Sequence, residues 1–144
     1  WTPILTLPVM KGQDVQNALD TWGAAQLLEG DNQFSCDTCK VKRDAVRQQL
    51  ITVCPPVAFV QLLTTSFRVS PSNLEVVMGG NRRLCCGAIS HVGGAWGGHY
   101  MCHVRTSKGW HSCDDSSVLA ADVSQLDAYI LAFSTTKAAA SKFS

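Results

Sequence analysis

His91-Val-Gly-Gly-Ala-Trp-Gly-Gly-His99-Tyr-Met-Cys-His-Val-Arg105-Thr-Ser-Lys-Gly-Trp110-His-Ser-Cys-Asp-Asp115-Ser-Ser-Val118 is the stretch around which the chain is organised. Its first half is a glycine-laden loop, with Gly93, Gly94, Gly97 and Gly98, that empties into His99. Tyr100 to Arg105 alternates in the manner of a strand. Thr106 to Gly109 punctuate a turn, and Trp110 to Cys113 form a second strand-like run that delivers Asp114 and Asp115. Two antiparallel strands joined by a short turn bring their far ends together, so His99 and Asp114 are expected to face each other. An imidazole beside a carboxylate is the base-and-orienter half of a nucleophilic site. Read singly, His99 is also a structural histidine at a strand start, and Asp114 a turn residue capping backbone N–H groups. Glycines admit a substrate backbone at close range because no Cβ intervenes.

The chain has 144 residues, which suits one domain able to bury roughly 68–70% of its unfolded surface. Hydrophobic residues make up 46% and charged residues 16%, a globular rather than a disordered composition. The formal net charge of +1 leaves no electrostatic footprint for nucleic acid, and no apolar run approaches the ~20 residues of a membrane span. The first ten residues, Trp1 to Met10, lack a basic leader region and hold two prolines, so they are not a signal peptide. The start reads as a cut inside a longer polypeptide. Seven cysteines without a secretion signal imply reduced thiols in the cytoplasm or nucleus.

Upstream of that stretch, Ile4 to Val9 reads as a short edge strand bounded by Pro3 and Pro8. Asp14 caps a helix with apolar positions Val15, Ala18, Leu19, Trp22 and Ala25, which ends or kinks at Gly23. Leu27 to Asn32 reads as a second short helical turn closed by Gly30. Val41 to Val53 is ambiguous between helix and strand; Cys54-Pro55-Pro56 breaks the chain, and Val57 to Leu63 has the composition of a buried strand. One hairpin built on Leu74 to Met78 is expected before a strong strand at Leu84 to Ser90. Ala121 to Asp127 reads as a short capped turn, and the tail after Ser134 as a fraying end.

Gly97-Gly98-His99-Tyr100, preceded by His91-x-Gly93 and followed by Trp110-x-x-x-Asp114-Asp115-x-x-Val118, resembles the His box of the ubiquitin-specific proteases. Leu27-Leu28-Glu29-Gly30-Asp31-Asn32-Gln33-Phe34-Ser35-Cys36-Asp37-Thr38-Cys39 and Asp127 to Phe133 resemble two further stretches of that family. The likeness covers roughly residues 1 to 134, with 135–144 as a flexible tail. It implies an α+β fold of the papain-like cysteine protease superfamily: a mainly antiparallel β palm and fingers portion with one or two short N-terminal helices, equivalent to the C-terminal half of a catalytic domain. It also decides Val41 to Val53 for a strand. Where the family has a Leu-Lys-Arg-Phe-like tetrapeptide, this chain has Leu62-Leu63-Thr64-Thr65.

The resemblance implies His99 as general base, Asp114 as its orienter, and Asp115 as a holder of substrate or of water near the oxyanion. It implies a substrate channel at Trp96, Gly97, Gly98, Tyr100 and His91, narrow enough to select the Gly-Gly tail of ubiquitin. His91 reads further as a hydrogen-bonding post for the loop, and His103 and His111 as solvent-facing. The family's nucleophile lies in a Gly-Asn-Thr-Cys-Tyr-type sequence, which this chain lacks. Cys54, Cys85, Cys86, Cys102 and Cys113 read as core or strand cysteines, and the nucleophile is expected upstream. Cys36-x-x-Cys39 has the spacing of half a zinc ribbon, so a structural zinc is expected in the full-length protein and no cofactor for catalysis. The expected partners are ubiquitin or ubiquitinated proteins and the N-terminal half of the catalytic domain, docked on an exposed apolar face; nucleic acid and membrane are not expected. Two other readings stand beside a deubiquitinase: a catalytically inactive ubiquitin-binding or scaffold module of the same fold, and a zinc-dependent interaction module.

Overall fold

The computed structural model describes residues 4–64, 67–94 and 97–135. Its strands are β1 (Ile4–Pro8), β2 (Gln26–Leu28), β3 (Phe34–Ser35), β4 (Lys42–Arg43), β5 (Ala45–Arg47), β6 (Val57–Leu63), β7 (Arg68–Val69), β8 (Glu75–Met78), β9 (Asn81–Gly94), β10 (Gly97–Thr106), β11 (Gly109–Asp114), β12 (Ser117–Ala120) and β13 (Leu126–Ser134). One α-helix, α1 (Val15–Gly23), is present among the described residues. The main sheet runs β1-β6-β13-β9-β10-β11-β12, with β7 beside β13 and β8 beside β9. All its pairings are antiparallel except β1 with β6, which puts β1 at an edge and parallel to its neighbour.

The helix starts where Asp14 accepts the backbone N–H of Asn17 at 2.7 Å, satisfying one of the first-turn donors. It stops at Gly23, so Ala25 lies beyond it. Val15, Ala18 and Leu19, at helical spacing, are buried against β1 and β8. Under them lies the core: Leu7, Val60, Leu131, Phe133 and Cys85 have no exposed surface. Burying each large aliphatic or aromatic side chain there contributes about 1.5–3 kcal/mol.

Several segments depart from the sequence reading. β6 alternates rather than being buried throughout: Ala58, Val60 and Leu62 are in the core while Val57, Phe59 and Leu63 are exposed. The second helical turn is a 3-10 turn over Gly30–Asn32 that Gly30 opens at φ 58, and Leu27 and Leu28 lie in β2 instead. Val41 to Val53 yields only the short β4 and β5, paired with β3 and β2 in two separate ribbons. The following Cys54-Pro55 segment is held by buried Arg83, whose Nη1 donates to the Pro55 carbonyl at 2.8 Å. The hairpin on residues 74–78 forms as expected, with Gly79 and Gly80 at its tip, both at positive φ.

Candidate active site

The glycine-laden stretch is a hairpin, not a loop. β9 continues through His91 to Gly94 and pairs with β10 in the register Gly94↔Gly97, Gly93↔Gly98, Val92↔His99 and His91↔Tyr100. Two of its glycines are required by the hairpin itself. A Cβ on Gly93, at φ 143, would run into the Gly97 carbonyl, and one on Gly98 would run into the His91 ring. Gly94 and Gly97 have open space where a Cβ would stand. Trp96, expected at the channel mouth, lies outside the described residues.

β10 carries His99 and β11 carries Asp114. The register Cys102↔Cys113, continued by one, puts Asp114 across from Met101 and diagonal to His99 on the same face. The His99 Nε2 and an Asp114 carboxylate oxygen are hydrogen-bonded partners, with the two side chains 50% and 45% exposed. Nδ1 makes no hydrogen bond among the described residues and is left for another group. Asp115 occupies the tight turn between β11 and β12 at φ 48, a left-handed conformation that aspartate tolerates. His99, Asp114 and Asp115 each offer a polar atom, all within 4.8 Å of one another; among the described residues no cysteine thiol or other His, Asp or Glu forms such a group of three.

His91 is half-buried. Its ring lies 4.4 Å from Tyr100 and 6.5 Å from Tyr129, centroid to centroid. Gln61 donates to the Tyr129 hydroxyl at 2.6 Å, so four strands contribute to the support behind Gly98. Tyr129 and Gln61 were not foreseen as part of this site. Tyr129 falls in the β13–β9 register shift between Ala128 and Ile130, and nothing in local spacing signals that.

The other histidines and the cysteines separate by burial. His103 points into the core, 5% exposed, against the expectation of a solvent-facing ring. It shares the buried face of β10, its Nε2 lies 3.4 Å from the Ser90 hydroxyl, and burial lowers its pKa. His111 is half-buried, with Nδ1 3.3 Å from the Thr106 hydroxyl. The Cys85 thiol is pushed up to about 12 by burial, and burial also raises Cys86 and Cys102. At that value Cys85 is an inert, protonated thiol at neutral pH. Cys36 is the opposite case: the backbone N–H groups of Cys39 and Thr38 stabilise its thiolate and lower its pKa. It opens a turn in which Lys40, at φ 57, donates its N–H to the Cys36 carbonyl at 2.8 Å.

The fold is a mainly antiparallel sheet that brings an imidazole and a carboxylate together beside a glycine hairpin. Over 92% of this chain it superposes with a TM-score of 0.66 and 21% identity on 36% of a chain in the SAGA Ubp8/Sgf11/Sus1/Sgf73 DUB module bound to ubiquitin aldehyde. A yeast SAGA DUBm structure gives a TM-score of 0.71 at 22% identity, over 92% of this chain and 35% of that one. These likenesses establish the fold.

The sequence model of the family described as ubiquitin carboxyl-terminal hydrolase matches residues 84–133. Ubiquitin carboxyl-terminal hydrolase 23 of Arabidopsis thaliana is 30% identical over 134 residues, 80% of this chain and 16% of that protein. Ubiquitin carboxyl-terminal hydrolase 16 of the same plant is 28% identical over 132 residues, 78% of this chain and 13% of that protein. The chain belongs to the ubiquitin-specific protease family. It spans less than a fifth of the length of these two relatives.

Proposed function

We propose that this chain is the palm of a cysteine-type deubiquitinase that hydrolyses the isopeptide or peptide bond after the last glycine of ubiquitin. The observation that carries the reading is the pairing of His99 Nε2 with Asp114 on adjacent strands, next to the open flanks of Gly94 and Gly97. Asp114 holds the imidazole so that Nδ1 takes the proton of a thiol, then returns it to the leaving amine. The thiol attacks the carbonyl carbon to give an acyl-enzyme, which water hydrolyses. Asp115 holds substrate or water near the developing oxyanion.

The nucleophilic cysteine is assigned to another part of the full-length protein, since the cysteines described here lie on strands, in the half-buried Cys54-Pro55 segment or in the Cys36–Cys39 turn. The apolar groove of about 750 Å³ lined by Phe59, Ile89, Cys102, Val104 and Ile130 is the face on which that part would dock. Gly97, Gly98, Tyr100 and His91 would flank the ubiquitin tail, His91 and Tyr100 as walls and Gly97 as the open side. The Cys36 turn, with its amide-stabilised thiolate, fits half of a tetrahedral thiolate zinc site, Cys36 and Cys39 being two of four ligands; the metal would fix that ribbon without entering the chemistry. The compartment that suits these free thiols is the cytoplasm or nucleus.

The test is reaction of the full-length protein with ubiquitin carrying a C-terminal electrophile. His99→Ala is expected to slow labelling about 10²–10⁴-fold with ubiquitin affinity unchanged. Labelling at the parental rate in that variant would remove His99 from the chemistry. No labelling of the parent would leave the inactive ubiquitin-binding module as the better reading.

A further inference from the structure

Cys102 and Cys113 are in-register partners across β10 and β11. Such partners point to the same side of the sheet, with Cα atoms about 4.5–5.5 Å apart and Cβ atoms about 4.5–5.5 Å apart. A disulfide takes Cα separations of about 4.4–6.8 Å and a mean Cβ separation near 3.8 Å, so the two strands need approach by only about an ångström at this row. Both thiols are free, half-buried and without a hydrogen bond among the described residues. The thiols of Cys85 and Cys86 are instead engaged with the Gly87 and Ala132 carbonyls at 3.3 and 3.5 Å. Asp114 directly follows Cys113, and His99 lies three residues before Cys102.

We propose that Cys102 and Cys113 form an oxidative modification site: an intrachain disulfide that staples β10 to β11 one residue from Asp114. With hydrogen peroxide as oxidant, one thiolate attacks a peroxide oxygen; the S–O bond forms, the O–O bond breaks and hydroxide leaves, becoming water. The second thiolate then attacks the sulfenic sulfur; the S–S bond forms, the S–O bond breaks and a second water leaves. Two thiols are oxidised by two electrons and one peroxide is reduced to two waters. In a reducing compartment such a bond is transient, the behaviour of a redox-sensing pair. Narrowing the row shifts Asp114 against His99. The inference stands apart from the deubiquitinase reading, because its readout is the thiols and the ring rather than turnover.

The experiment uses the full-length chain carrying Cys36→Ser and Cys39→Ser, which removes the exposed dithiol. Peroxide treatment, alkylation of the remaining thiols and peptide mass mapping are expected to recover the 102 and 113 peptides joined, lighter by two hydrogens. Tm is expected to rise by about 5 °C on oxidation, and both changes to reverse with a thiol reductant. The His99 imidazole NMR signals are expected to move in the oxidised form. Cys113→Ser, and independently Cys113→Val in case serine impairs folding, must abolish the joined peptide. Recovery of both peptides alkylated, as separate sulfinic acids, or joined to Cys86 or to a second chain would overturn the proposal. A joined peptide with unmoved His99 signals would overturn the link to the dyad.

Discussion

The two faces of the main sheet carry similar side chains and meet different surroundings. On one face Leu7, Val60, Leu131 and Phe133 are sealed under α1 and the flanking strands. On the other, Phe59 is 43% exposed on the same β6 that buries Val60, and Ile89, Val104 and Ile130 line an open groove. Hydrophobicity therefore does not by itself define a core. A side chain is stabilising only where a second layer takes it out of water. The same alternation governs the site. His99 and Asp114 stand on the face that continues into the core, while Tyr100, Cys102 and Cys113 stand on the groove face with His91.

Truncating matched residues on the two faces is the sharpest way to break that contrast. Phe133→Ala is expected to destabilise the chain by about 3–5 kcal/mol and Phe59→Ala by about 0.5 kcal/mol or less, both read from urea unfolding. Equal losses would mean that the groove face is covered in solution. A second contrast lies within the hairpin. Gly98→Ala must displace the His91 ring from its stack on Tyr100 and is expected to cost about 1–3 kcal/mol. Gly97→Ala meets no neighbour and is expected to leave stability within about 0.5 kcal/mol, while slowing ubiquitin-probe labelling of the full-length protein at least about tenfold by closing the open side.

Asp14→Ala removes the α1 cap and is expected to cost about 1 kcal/mol, a test of how firmly the helix seals the core face. The smallest effect is a pH dependence from His103. Its folded pKa lies below the ordinary 6.5, so the unfolded chain binds the proton more readily. Its contribution is complete above pH 6.5 and declines as pH falls through that value toward the folded pKa. Tm is expected to drop between pH 7.5 and 5.5, and to drop less in His103→Gln; an identical drop in the variant would place the titrating group elsewhere.

The hairpin from Tyr100 to Cys113 was legible because alternation, a turn sequence and a second alternating run all agree locally, and the pairing of His99 with Asp114 follows from it. The helix was legible from its Asp14 cap and its 3.6-residue spacing. Val41 to Val53 was not, because Lys42–Arg43 and Ala45–Arg47 turn to different partners, Phe34–Ser35 and Gln26–Leu28, and neither strand is long enough to show a period. His103 was misjudged because an imidazole in an alternating run does not announce which side of the sheet is sealed.

The sequence by itself determined the strand periods, the turns, the capped helix and the family, since each rests on residues near in the chain or on an ordered motif. Only the tertiary structure decided that β9 runs on through the glycines, that Gly98 is reserved for the His91 ring, that Tyr129 and Gln61 stand behind it, and which face of β6 is dry. The last two of these depend on pairings between strands 30 to 70 residues apart, such as Gln61 with Ile130 and Ser90 with Ala128, whereas the first two come from the local register of β9 on β10. Register over such distances is set by the joint packing of all the strands, not by any local pattern.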